Sequence, residues 1–347
     1  MKNITLYYIK KRLPVFLIVL GISIICSIIF ISTTPFIREY RNNNGELTRH
    51  INTTGIIYLS VILMIIAIIV PIYEFAFKMR KNGCDLHYSL PIKRNKLFIC
   101  KYLFGLSEVL LIFIVNFFIV STCAVIKLSG VEFTFVSFNP GYIYLYLPFA
   151  VILGTLLYSW TTFFYTRANR ILDGIICVLI SNSLFLIVMF GLYAYISNWH
   201  GYDYNLVVFL SGYHYSPVAS MINIGIFFDR LGSTNVYDLN NIYADIILWS
   251  VSIITIPLFI ILSYKQRAEV SEDISDSVFL YKTMLPIFIV FAFMMNELNS
   301  FSWIAIVIGG YIGYVIYNRN FLLKKIDLIT LISSVGIGFI LMCIKMA

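Results

Sequence analysis

LFGLSEVLLIFIVNFFIVSTCAVI, residues 103–126, decides how the chain is built. The run carries a single charge, Glu108. At about 1.5 Å per residue, a helix of this length crosses a bilayer core of roughly 30 Å. Comparable runs bounded by charges lie near Pro14 to Thr33, Gly55 to Ile72, Tyr142 to Phe164, Ile171 to Ile196 and Ile242 to Leu262, and then at Val278 to Met295, Phe301 to Ile316 and Leu328 to Ile344. Long uncharged runs joined by short loops favour helices over the alternating ten-residue strands of a membrane barrel. The expected fold class is therefore all-α. It is a polytopic membrane helical bundle with six core spans and two or three C-terminal spans.

Composition agrees with that reading. The 347 residues are 60% hydrophobic and 12% charged, about half the charged share of a soluble domain. These values exclude a soluble catalyst, a nucleic-acid binder and a receptor with a folded ectodomain. With the N-terminus placed in the cytoplasm, 19 of the 25 Lys and Arg fall on inner segments, at Lys2–Arg12, Lys78–Lys101, Arg167–Arg170, Lys265–Lys282 and Arg319–Lys325. Cations retained on the side of synthesis fix that orientation and predict a multi-pass membrane protein. The first span lacks a small-residue cleavage site and reads as a retained anchor. Cysteines sit in or beside spans, except Cys84 in a basic inner loop, so no disulfide framework is expected.

Four segments outside the core runs organise the chain. Residues 1–13 join Ile4, Leu6, Tyr7, Tyr8 and Ile9 to Lys10, Lys11 and Arg12, and read either as an amphipathic interfacial helix or as a plain extension of the first span. Pro14 favours a break between the two. In the second segment, residues 75–101, Gly83 stops one helix, Asp85 can cap another and Pro91 ends it, giving a short helix at about residues 83–92. The outer stretch, residues 197–241, contains a semi-apolar run interrupted by His214 and Pro217 and reads as re-entrant or interfacial helices. The last, in the loop that opens the C-terminal region 265–347, sets Glu269, Glu272, Asp273 and Asp276 beside Lys265 and Arg267. It reads as a solvated loop or as a contact with a basic partner surface.

A family resemblance appears in the second segment. Asp85, Leu86, Tyr88, Ser89, Leu90, Pro91, Ile92, Lys93 and Arg94, followed by Leu97, Phe98, Lys101 and Tyr102, resemble the loop between the first two core spans of ABC-2 type exporter permeases. That family shows D-x-x-x-S-L-P-[IV]-[ST]-R-x-x-[LI]-x-x-x-K-[YW] at this point. Lys93 stands where Ser or Thr is common. An R-x-E at Arg267 to Glu269 follows the sixth span, whereas Glu272 stands where a glycine is expected. The added C-terminal spans look like the Gram-positive branch that includes phenol-soluble modulin exporters. The resemblance implies a six-span core over residues 14–264 and a coupling helix that docks into a nucleotide-binding ATPase subunit. It also implies a homodimer, or a heterodimer with a second permease, in a lipid bilayer, with ATP and Mg bound by the partner. The implied cargo is an amphipathic peptide or lipophilic compound. The alternative is an ATP-independent secondary transporter or channel.

The chain itself offers no chemistry of its own. No G-x-x-x-x-G-K-[ST] occurs, and His50, His87, His200 and His214 are scattered over loops, so neither a nucleotide site, a metal site nor another cofactor is expected. No catalytic residue is named, and the chain is not expected to be an enzyme. Of the acidic residues near membrane depth, Glu74, Glu108, Asp173 and Asp245, the one expected to be buried in the pathway is Glu108, unless it pairs with Lys101 at headgroup level. Gly309 and Gly313 form a G-x-x-x-G expected to serve packing within the chain.

Overall fold

A computed structural model describes residues 2–34, 37–41, 47–51, 54–80, 93–128, 144, 146–200, 251, 254–258, 260–261, 277, 281–295 and 302–346. Its helices are α1 (Lys2–Thr33), α2 (Thr54–Phe75), α3 (Arg94–Leu128), α4 (Tyr146–Arg167), α5 (Ile171–His200), α6 (Thr283–Met295), α7 (Ser302–Asn318) and α8 (Lys325–Met346). Within α1, α2, α3, α4 and α8 lie five stretches, among the described residues, that are long and apolar enough to cross a membrane. The helical membrane bundle expected from the apolar runs is thus present. Its sixth expected span is described only in pieces, which are helical over residues 254–258 and 260–261.

Two features depart from the sequence reading. A short antiparallel hairpin, β1 (Ile37–Arg41) and β2 (Leu47–Ile51), fills the connection between α1 and α2, with Glu39 in register with Arg49 and Arg38 with His50. Its paired segments are too polar to register in a search for apolar runs. The second departure is at Pro14, which does not break the chain: α1 runs through it unbroken. Proline there removes one backbone hydrogen bond but leaves the rest of a 32-residue helix in place, and the extension alternative describes the backbone.

Helix packing divides the bundle into two neighbourhoods. α2 lies against α3 and α4, with α1 laid along α3; α6 lies against α5, α7 and α8; and α5 joins the two through α4 and α2. Their shared core is rich in buried aromatics, among them Tyr102, Phe113, Phe117, Tyr146, Tyr158 and Phe293. Small residues admit the close contacts. A Cβ at Gly313 would meet Leu285 at 2.8 Å and one at Gly310 would meet Ile289 at 2.7 Å, whereas Gly309 has nothing within 4 Å. The close face of α7 is thus Gly310 and Gly313, three apart, turned toward α6. Packing inside the chain was expected of Gly313, but Gly309 takes no part in it.

Cations gather where several helix ends meet. Lys78 beyond α2 donates to the Thr166 carbonyl at the end of α4 at 2.8 Å, and Arg319 after α7 lies 3.6 Å from Asp173 at the start of α5. Arg12 in α1 bonds Glu74 near the end of α2. These contacts bring the first part of α1, the end of α2, the end of α4, the start of α5 and the end of α7 to one basic end. At the opposite end Lys127 donates to the Ile31 carbonyl at 3.1 Å.

Candidate functional site

The chemistry-bearing residues converge on the inner faces of α1 to α4, toward the basic end. α3 is a single 35-residue helix, roughly 52 Å long, so it exceeds the bilayer core and carries Glu108 about 21 Å from its start. Glu108 lies one helical turn beyond Gly105. At Gly105 the absent side chain lets α3 approach α4 and α2: an added Cβ would collide with the Tyr158 hydroxyl and come within 3.1 Å of Glu74 Cγ. This approach draws Glu74 and Glu108 inward, leaving them 5% and 8% exposed. Both are carboxylates inside a helix bundle, where an unpaired charge is costly.

Cations from two helices offset them. The Arg12 guanidinium bonds Glu74 Oε1 and sits 4.0 Å from the centre of the Tyr73 ring. Lys101, also buried, holds its ammonium 3.5 Å from the centre of the Phe77 ring. Arg12 and Lys101 both act electrostatically on Glu74, while Arg12 and Glu74 are the charges that act on Glu108. Two cations and two carboxyl groups share the cluster, and the pairing within it is unequal. Glu108 Oε1 is buried without a hydrogen-bond partner.

Neutral polar groups frame the cluster. The Tyr102 hydroxyl shares a 2.6 Å hydrogen bond with Ser159 Oγ, and the Tyr158 hydroxyl donates to the Tyr102 carbonyl at 3.2 Å. Further along α3, Ser27 Oγ donates to Asn116 Oδ1 at 2.6 Å, and Asn116 Nδ2 donates to Ser23 Oγ at 2.8 Å and to the Ile112 carbonyl at 2.7 Å. α1 is therefore fastened by three polar contacts at successive depths: Arg12 on Glu74, the serines on Asn116, and the Ile31 carbonyl on Lys127. Apolar packing contributes less to it, since 11% of its apolar stretch is buried against 61% for α4.

The residues named from sequence fall on both sides of the description. Asp85, Leu86, Tyr88, Ser89, Leu90, Pro91 and Ile92 lie outside the described residues, as do Cys84, the outer stretch beyond residue 200 and the acidic residues Asp245, Glu269, Glu272, Asp273 and Asp276. Lys93 and Arg94 are described and exposed, Arg94 opening α3. Glu108 is buried as expected of it, and the cation acting on it is Arg12 of another helix. Glu74, read as interfacial, and Arg12, read only as a topological charge, belong to the same cluster. A signal for them existed in the chain: two opposite charges, each close to the same end of a span in an alternating threading. Asp173 pairs with Arg319 in a separate contact between α5 and the end of α7. Among the described residues no group of three His, Cys, Asp or Glu is placed to hold a metal ion, and the five described cysteines are free thiols.

The fold and its charge arrangement define a polytopic helical membrane protein. No family model, no curated protein and no solved structure matches the chain.

Proposed function

We propose that this protein is the transmembrane subunit of an ATP-binding-cassette exporter of the ABC-2 type, with its N-terminus in the cytoplasm of a bacterial cell. The observation that carries the reading is the run from Asp85 to Arg94, which resembles the coupling segment of those permeases. Its surroundings suit the role. The segment is tied between α2 and α3, which pack on one another, so a displacement of it is passed to both helices together. Arg94 is the first residue of α3, and the rise of a continuous helix joins it mechanically to Glu108. A separate ATPase dimer closing on ATP would supply the work, and the bundle would alternate between two arrangements. A second permease, identical or related, completes the pathway. The 29 Phe and 25 Tyr suit an amphipathic peptide or a lipophilic compound as cargo.

The test is copurification from cells that express the full operon. The chain should retain a soluble ATPase, and Leu90→Asp or Arg94→Glu should release it and lower ATPase turnover in the membrane complex. An intact complex with unchanged turnover in both variants rejects the reading.

A second reading, transport without ATP, gains from the two buried carboxylates Glu74 and Glu108, because ionisable groups between spans are the usual means of coupling to ions. Purified protein reconstituted alone, with an ion gradient and no ATPase, separates the two. Flux in that preparation would favour the second.

A further inference from the structure

Glu108 presents a buried carboxylate oxygen with no hydrogen-bond partner, and native structures seldom leave such an atom unserved. Among the described residues the donors around it are few. Tyr102 and Lys101 share its helix, but the Tyr102 hydroxyl is engaged with Ser159 and Lys101 lies two turns away over Phe77. From α4, Tyr158 spends its hydroxyl proton on the Tyr102 carbonyl. α2 contributes Glu74, an acceptor. That leaves Arg12 of α1, which already acts on Glu108 electrostatically and whose guanidinium carries five N–H donors. Its hydrogen bond, however, goes to Glu74.

Two further observations concern what Arg12 can do. α1 is the least buried of the five long apolar helices, so its displacement disturbs little packing. Pro14 follows Arg12 by two residues and lacks the N–H that would bond the Lys10 carbonyl, which weakens the helix at that turn. A short basic end of α1 can therefore swing at Pro14 while Asn116 continues to hold Ser23 and Ser27.

The geometry points to a two-position latch: Glu74 on α2 and Glu108 on α3 are alternative acceptors for the Arg12 guanidinium, and α1 exchanges one for the other. In the present arrangement Glu74 is occupied and Glu108 waits. The latch is a property of the bundle and holds whatever passes through it.

The experiment is a mutant cycle on the full-length protein in lipid nanodiscs, read by thermal unfolding. Glu74→Gln should lower the midpoint only slightly, because Arg12 transfers to Glu108. Glu108→Gln should lower it little or raise it. The double variant, with no carboxylate left, should lose more than the two single shifts added together. Shifts that simply add overturn the latch. Should the double variant fail to fold, spin labels at Lys10→Cys and Lys96→Cys, with the native cysteines replaced by alanine, give a second measure. Glu74→Gln should then move the distance distribution by several ångströms to a new position, and an unmoved distribution overturns the proposal.

Discussion

Replacing Asn116 with leucine tests how α1 is held. In lipid the usual driving force for packing is missing, because acyl chains solvate leucine and isoleucine as well as another helix does. A helix that is thinly packed must then depend on polar contacts. Asn116 is fully buried and makes two hydrogen bonds across to α1, with Ser23 and Ser27, besides one within its own helix. Interhelical hydrogen bonds inside membrane proteins average about 0.6 kcal/mol each and reach about 1.7. Two of them contribute about 1.2 kcal/mol, with a ceiling near 3.4 kcal/mol if both lie at the upper end. Leucine has the same number and branching of side-chain heavy atoms as asparagine and more volume, so Asn116→Leu opens no cavity. Reversible unfolding in mixed micelles should show a loss of about 1–2 kcal/mol. The serines provide an internal control. In the wild-type background Ser23→Ala and Ser27→Ala should each cost a few tenths of a kcal/mol to about one, and in the Asn116→Leu background they should cost almost nothing. Serine effects that persist unchanged beside leucine, or a stability loss below about 0.3 kcal/mol, would refute the idea that these contacts fasten α1.

Other expectations follow from single contacts. Gly313→Val should destabilise by about 1–3 kcal/mol through overpacking against Leu285, whereas Gly309→Ala, facing open space, should be neutral in the isolated chain; thermal melting of both checks this, and equal effects would count against the α6–α7 face. Gly105→Leu should part α3 from α4 and α2, visible as a large drop in folded yield in fluorescence-detected size exclusion, because an added side chain meets Tyr158 and Glu74. Asp173→Asn should cost about 1 kcal/mol or less in thermal melting, and high salt should remove only part of that, since Arg319 is partly exposed and 3.6 Å away while Asp173 is buried. Cys84 should react with a membrane-impermeant maleimide in inside-out vesicles and not in intact cells; labelling from outside the cell would overturn the proposed orientation.

How much of this was legible in the chain differs by element. The long helices were, because a bilayer sets the length of an apolar run and α3 or α8 satisfies it from its own residues alone. That Lys78, Arg167, Arg170 and Arg319 gather at one end of the bundle was legible too, because each borders an apolar run. Glu108 stood out as a charge inside an apolar run, and it is buried. The coupling segment from Asp85 to Ile92 lies outside the described residues, so its reading still rests on the order of its amino acids.

Helix partners were beyond the sequence. An isoleucine that faces lipid and one that faces another helix are chemically alike, and the pattern of apolar residues in a span therefore carries little about its neighbours. Tertiary structure decided that Arg12 and Glu74, 62 positions apart, meet beside Glu108, and that Gly310 rather than Gly309 joins Gly313 at the contact. It also decided that α1 passes through Pro14 unbroken. Span length is fixed by the exchange of each residue between water and lipid, which the chain states residue by residue. Which carboxylate a cation serves is fixed only when separate helices come within a few ångströms of each other.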